Sequence, residues 1–217
     1  MDRRVDADAG PAPELTNEPI EVVAFDFGGV LAEEGFREGL KAIARLNGLD
    51  EAQFFERATA TVYDTGYVVG KADEPLFWRT LRERNGIKGS DEDLREEILK
   101  RFIMRSWMLR LVKELRSKGY VVAILSDQTQ WLDELDGRYN FFKDFHRVFN
   151  SYHMGKGKKD PTVFADVARE LSTRPSKVLF IDDSAGNVER ARSQGFRAIH
   201  YKGRESFEHE MKKLGLL

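Results

Sequence analysis

Apolar and polar positions alternate between two periods along the chain, and the switches between them mark out the elements. Residues 20–27 form an apolar run rich in β-branched and aromatic side chains, stopped by Gly28-Gly29. This predicts a buried strand with Asp26 at its end. Helical periodicity then holds over 36–47, 50–63, 73–85, 91–105 and 107–118. Asp73 and Asp91 stand where N-caps are expected, and Gly48, Gly86 and Gly119 where helices stop. Further strands are predicted at 120–125, 147–150, 178–181 and 197–200. Helices at 128–135, 161–171, 185–194 and 205–214 fall between and after them.

Strand and helix alternating in this way specify an α/β fold, a Rossmann-like parallel sheet flanked by helices. The helices between the first two strands are too many for one crossover. The expected division is a flexible leader over 1–19, a core of 20–35 and 106–217, and an inserted α-helical cap over 36–105. No internal repeat or low-complexity segment is present.

Charge narrows the partners. The 217 residues carry 35 basic and 37 acidic side chains, a formal net charge of −2. A chain that coats nucleic acid or an anionic membrane needs a basic footprint, and this one has none in bulk. The absence of cysteine excludes disulfides, thiolate metal sites and a thiol nucleophile. The leader holds Pro11, Pro13 and Pro19 among scattered charges and lacks a signal peptide's apolar run. No uncharged stretch reaches the roughly 18 residues of a spanning helix. A soluble, cytoplasmic protein is expected.

Ligands of open α/β sheets bind beyond the carboxyl ends of the strands. Four such ends carry reactive side chains: Asp26, Ser126-Asp127, Asp182-Asp183, and the loop Gly155-Lys156-Gly157-Lys158-Lys159-Asp160. Singly, most are better explained as helix caps or a solvated turn. Asp26 is harder to explain so, because it closes an apolar strand beside two glycines whose amides are free. Together the set suits one chemistry. Two carboxylates with a backbone carbonyl nearby fit Mg²⁺, a lysine neutralises a phosphoryl group, and a serine hydroxyl with loop amides binds its oxygens. A carboxylate not fully taken up by metal can attack phosphorus and form an aspartyl phosphate.

In order along the chain, Phe25-Asp26-Phe27-Gly28-Gly29-Val30-Leu31, Ile124-Leu125-Ser126-Asp127, Lys158-Lys159-Asp160-Pro161 and Phe180-Ile181-Asp182-Asp183-Ser184 with Asn187 resemble the four motifs of haloacid dehalogenase-like (HAD) hydrolases. The subgroup resembled has a helical C1 cap and includes α-glucose-1-phosphate phosphatases. The resemblance spans about 20–203 and is weakest in the cap. It implies Asp26 as nucleophile and metal ligand, Ser126 and Lys158 as catalytic and phosphate-binding groups, and Asp127 and Gly29 at the phosphate. The Gly28 carbonyl and Asp182 would complete the metal site, with Asp183 and Asn187 in supporting positions. The implied activity is a Mg²⁺-dependent phosphatase acting on a small phosphorylated metabolite such as a sugar phosphate.

Two departures stand out. Most phosphatases of this family have a second aspartate two residues after the nucleophile, serving as acid and base, where this chain has Gly28. A metal-bound water, Glu33 or Glu34 would have to replace it. Lys159 stands where the family usually has proline. The alternatives are a non-catalytic protein that binds phosphate and metal, favoured by Gly28, and a 2-haloacid dehalogenase, for which the Asp182-Asp183 pair is unnecessary. In the cap, Tyr63, Tyr67, Phe77 and Trp78 are candidates for a lid or stacking surface, although packing is the better account of Phe77 and Trp78. His146, His153, His200 and His209 show no metal-ligand spacing. Gly155-Lys156-Gly157-Lys158 lacks the spacing of a nucleotide-binding P-loop.

Overall fold

The computed structural model describes residues 18–217, so most of the expected leader lies outside the described residues. Five strands, β1 (Val22–Phe25), β2 (Val121–Ser126), β3 (Arg147–Asn150), β4 (Val178–Asp182) and β5 (Arg197–His200), form one sheet in the order β3-β2-β1-β4-β5. Every pairing is parallel. The strands are apolar on both faces because helices cover both, the arrangement that shields the two faces of a parallel sheet from solvent.

The helices are α1 (Gly35–Leu46), α2 (Glu51–Asp64), α3 (Glu74–Asn85), α4 (Asp91–Leu99), α5 (Ser106–Ser117), α6 (Trp131–Tyr139), α7 (Ser151–Met154), α8 (Thr162–Glu170), α9 (Ala185–Ser193) and α10 (Arg204–Lys213). Alternate strand residues sort the two sides. Val23, Phe25, Ile124 and Ile181 join a core shared with α1 to α6 and α10. Val22, Ala24, Leu125 and Phe180 pack against Val163, Phe164 and Val167 of α8 and Ala191 of α9.

Helices α1 to α4 pack on one another. Gly39 of α1 meets α4 so closely that a β-carbon there would lie 2.5 Å from the Ile98 Cα. The sequence pattern predicts a helix over 91–105, but it ends at Leu99. The next residues turn back onto the chain leaving β1: Glu33 N–H donates to Ile103 O (2.9 Å) and Arg105 N–H to Leu31 O (2.9 Å). Phe102 is buried against Phe27, with ring centroids 5.4 Å apart. Those backbone bonds and that burial outweigh helical propensity. The N-cap of α4 is Ser90, whose hydroxyl takes the Asp93 N–H, and Asp91 is the first helical residue. Two smaller differences lie near the site: α6 starts at Trp131, leaving 128–130 as loop, and α7 is a single unpredicted turn.

Phe77, Trp78 and Tyr67 are fully buried and, with Trp131, form an aromatic cluster, which removes Tyr67 from the lid candidates. Glu74 accepts from both indoles, Trp78 Nε1 at 2.8 Å and Trp131 Nε1 at 3.1 Å. Glu18, at the start of the described chain, pairs with Arg174 at 2.5 Å. Among the described residues no helix is long and apolar enough to cross a membrane.

Candidate active site

The strand order reverses direction at β1, with β2 and β3 on one side and β4 and β5 on the other. This is the switch point at which loops diverge and leave a crevice. The register aligns Phe25 with Ile124 and Ile181, so Asp26, Ser126 and Asp182 emerge together at the carboxyl edge. The loop after β3 adds Lys158.

Asp26 is held by three donors. Its Oδ1 accepts from Phe27 N (2.7 Å) and Ser126 Oγ (2.6 Å), and its Oδ2 faces Lys158 Nζ at 2.9 Å. Lys158 also donates to Asp182 Oδ2 at 2.6 Å. Its ammonium is 1% exposed and Asp182 is fully sealed. Asp182 also accepts from Ser184 N (2.7 Å) and from Asn187 Nδ2, which reaches both carboxylate oxygens. Asn187 is fixed in turn by Arg190 Nη2 (2.6 Å). Asp127 takes the Lys158 backbone N–H at 2.9 Å, anchoring the lysine's loop.

These groups floor a cavity of about 400 Å³, lined among others by Asp26, Gly28, Glu34, Asp127, Lys158, Asp183 and Asn187. Asp183 therefore lines the cavity, whereas the bonds of Asp182 are turned inward. Asp26, Asp182 and Asp183 each offer an oxygen within 4.8 Å of the others, and this is the one such cluster among the described residues. A hard, oxygen-only donor set of this kind fits Mg²⁺. Gly29 makes the close approach possible. With φ +77°, it would place a β-carbon 2.2 Å from Asp183 Oδ2.

The electrostatics point the same way. Burial pushes the Asp26 carboxyl well above the ordinary Asp range; Lys158 pulls it down and Asp182 adds to the rise. Burial, then Asp182, raises Asp183, and burial, then Asp183, raises Glu34. Lys158 shifts upward because Asp182 and Asp26 outweigh its own burial. Crowded carboxylates of this sort are relieved by a divalent cation.

The two glutamates after β1 part company. Glu33 turns outward to Arg105, which donates from Nε (3.0 Å) and Nη2 (2.8 Å) and also buttresses the carbonyls of Gly29 and Val30. Glu34 lines the cavity, with Oε1 accepting from Arg37 N at 3.4 Å. A β-carbon at Gly28 would lie 3.4 Å from Glu34 Oε2. The Glu34 carboxylate thus stands beside the space that a side chain at position 28 would enter.

Sequence reasoning singled out neither Arg37, Thr59 nor Arg190, all of which line the cavity. Their helical positions carry no motif, and only packing directs them inward. Tyr63 also lines it, with its hydroxyl 3.4 Å from Asp127 Oδ2 and Lys159 Nζ 3.3 Å from its ring centroid. The histidines lie elsewhere in role: His146 Nδ1 accepts from Val122 N, His153 pairs with Asp133 at the surface, and His200 Nε2 meets Asp183 O at 3.0 Å.

A family model for haloacid dehalogenase-like hydrolases matches residues 20–195. Bifunctional epoxide hydrolase 2 of Rattus norvegicus is 26% identical over 218 residues, covering 90% of this chain. The chain spans 39% of the length of that relative and of its Mus musculus counterpart. D-ribitol-5-phosphate phosphatase of Bacteroides thetaiotaomicron is 22% identical over 200 residues, covering 88% of this chain and 97% of that protein. A HAD family enzyme from the same organism, solved as a magnesium complex, has a TM-score of 0.72 at 25% identity, over 90% of this chain and 100% of that one.

Proposed function

The chain belongs to the haloacid dehalogenase-like hydrolases, and from that premise we propose that it is a Mg²⁺-dependent phosphatase of a small phosphorylated metabolite. The observation that carries the reading is the buried Asp26–Lys158–Asp182 array opening, through Asp183, into the cavity at the sheet edge. The phosphatase relative acting on ribitol phosphate supports it.

In this reading Asp26 attacks phosphorus and forms an aspartyl phosphate while the P–O bond to the leaving alcohol breaks. Ser126 Oγ and the Lys158 ammonium orient the nucleophile and offset charge on the phosphoryl oxygens. Asp26, Asp183, Asp182 and the Gly28 carbonyl would hold Mg²⁺, whose chemistry is to neutralise phosphate charge. Glu34 gives its proton to the leaving oxygen and then takes one from the water that hydrolyses the acyl phosphate. Its raised protonation range suits that double duty. Asn187 and Arg190 fix Asp182, and helices α1 to α4 act as the cap.

The test is hydrolysis of p-nitrophenyl phosphate with and without Mg²⁺, beside Asp26→Asn. Mg²⁺-dependent turnover in the wild type, absent from the variant, is expected. Turnover no higher than in Asp26→Asn sinks the reading. Mg²⁺ binding without turnover would favour a binding protein, and chloride release from a 2-chloro acid a dehalogenase.

A further inference from the structure

Four cationic side chains line the cavity: Arg37, Lys158, Lys159 and Arg190. Three of them have work within the chain. The Lys158 ammonium lies between Asp26 and Asp182. Arg190 donates from Nε to Lys158 O (2.8 Å) and from Nη2 to Asn187 Oδ1 (2.6 Å). Burial raises the carboxyls of Glu34 and Asp183, and the charge of Arg37 offsets part of that rise in both. Lys159 is the exception. It is exposed at the mouth of the cavity, and among the described residues its ammonium donates to no acceptor and has no carboxylate within 4 Å. It rests instead on the Tyr63 ring of α2, 3.3 Å from the centroid.

The acids around Lys159 are engaged elsewhere. Asp160 Oδ1 accepts from Thr162 N (3.0 Å) and Thr162 Oγ1 (2.7 Å), at the start of α8. Asp127 Oδ1 accepts from Lys158 N (2.9 Å), and its Oδ2 lies 3.4 Å from the Tyr63 hydroxyl. The backbone before Lys159 is also fixed. Asp127 holds the Lys158 N–H and Arg190 holds the Lys158 carbonyl, so one side chain of the pair runs to the floor and the next is delivered to α2. An ammonium lying on a ring gives up solvent on that side and keeps N–H donors for another partner. It has donors only, and an anionic oxygen is the acceptor that meets them most strongly.

We infer that the leaving group carries a carboxylate at the end away from the cleaved ester, and that Lys159 receives it at the mouth of the cavity. The inference rests on the phosphatase reading, which sets the ester's phosphate on the floor beside Lys158, and it names the substrate class within that reading: a phosphate monoester of a hydroxy acid. One ammonium without a counter-charge matches one negative charge. Lys159 is then a specificity-determining residue, and its neighbour Lys158 serves the phosphate.

Calorimetry of the Mg²⁺-loaded protein tests it with γ-phosphonobutyrate and its carboxamide, which matches it in size and polarity but lacks the second charge. At about 10 mM salt the carboxylate is expected to bind about fivefold tighter, the upper range for an exposed ion pair, and the ratio should fall toward one at about 1 M salt. Lys159→Gln should abolish the preference and Lys159→Arg should keep it. A merely structural Lys159, holding the loop to α2, would change both affinities alike and leave their ratio as it was. In turnover, the phosphate ester of γ-hydroxybutyrate should exceed that of its carboxamide in kcat/KM by a similar factor. Equal affinities in the wild type, failure of both ligands to bind, a preference that survives in Lys159→Gln, or one lost in Arg37→Gln instead overturns the inference. Absence of turnover on either ester, with the Lys159-dependent preference intact, would sink the phosphatase reading and uphold Lys159 as the carboxylate's receptor.

Discussion

Lys158 donates to Asp182 across 2.6 Å, and neither side chain meets solvent. The pair is not a surface ion bridge of negligible worth. It is the strut that holds the ammonium beside Asp26, and it makes the loop after β3 part of the sheet edge.

Lys158→Met should therefore be doubly damaging. It leaves Asp26 and Asp182 buried side by side without a counter-charge, and removing one partner of a buried pair costs about 3–5 kcal/mol. The expected outcome is a large drop in denaturation midpoint together with lost phosphatase turnover. In the variant, Asp26 should hold its proton even more readily, so its stability deficit should shrink as pH falls from about 8 to about 5. A deficit that does not change with pH would argue against the buried pair as its cause.

Mg²⁺ should stabilise the wild type more at about pH 8 than at about pH 5. Asp26 and Asp183 have raised protonation ranges in the folded, metal-free chain. A group raised on folding contributes stability at low pH and loses it as pH rises through its folded value. Mg²⁺ must displace those protons at low pH and meets free carboxylates at high pH. Thermal melts with Mg²⁺ and with chelator at the two pH values check the sign.

Glu34→Gln and Glu33→Gln should behave differently although the residues are adjacent. Loss of a general acid typically costs about 10²–10⁴-fold, and most where the leaving alcohol needs a proton. Glu34→Gln is expected to lose at least about 100-fold in kcat on an alkyl phosphate, and less on p-nitrophenyl phosphate. Glu33→Gln should keep its turnover, since Glu33 serves Arg105. Full activity in Glu34→Gln would assign proton transfer to another group.

Gly29→Ala should separate site from fold. The left-handed backbone there costs a side chain about 1–2 kcal/mol, and the new methyl would displace the Asp183 carboxylate. Mg²⁺ affinity should fall well beyond what the modest loss of stability explains. Calorimetric Mg²⁺ titration beside a melt measures both.

Glu74→Ala tests the packing of α3 against α6. Two buried indole N–H groups and Gln130 would lose their acceptor, and Arg95 one of its two carboxylate partners. A cost of about 2–4 kcal/mol is expected, visible in tryptophan fluorescence during denaturation. Retained activity at low temperature would separate this role from catalysis.

The order of strands and helices was legible because it rests on local periodicity. A run such as 20–27 cannot be solvated, and its ending on Asp26 beside Gly28-Gly29 needs no tertiary knowledge. The clustering of Asp26, Ser126, Lys158 and Asp182 was legible for a related reason: each closes or follows a strand, and parallel strands bring their carboxyl ends to one edge. The helix over 91–105 failed because the bonds that end it at Leu99 come from residues 31–33, some seventy positions earlier.

By itself, then, the sequence determined a parallel α/β sheet and the residues gathered at its edge, since both follow from nearest-neighbour patterning and strand direction. Only the tertiary structure decided the directions of individual side chains. It turned Glu34 inward and Glu33 toward Arg105, buried Tyr67 among aromatics while leaving Tyr63 at the cavity, and gave Asp182 to Lys158 while Asp183 lines the pocket. Neighbouring residues of the same type differ only in what the rest of the chain packs against them, and that is set by contacts no local pattern encodes.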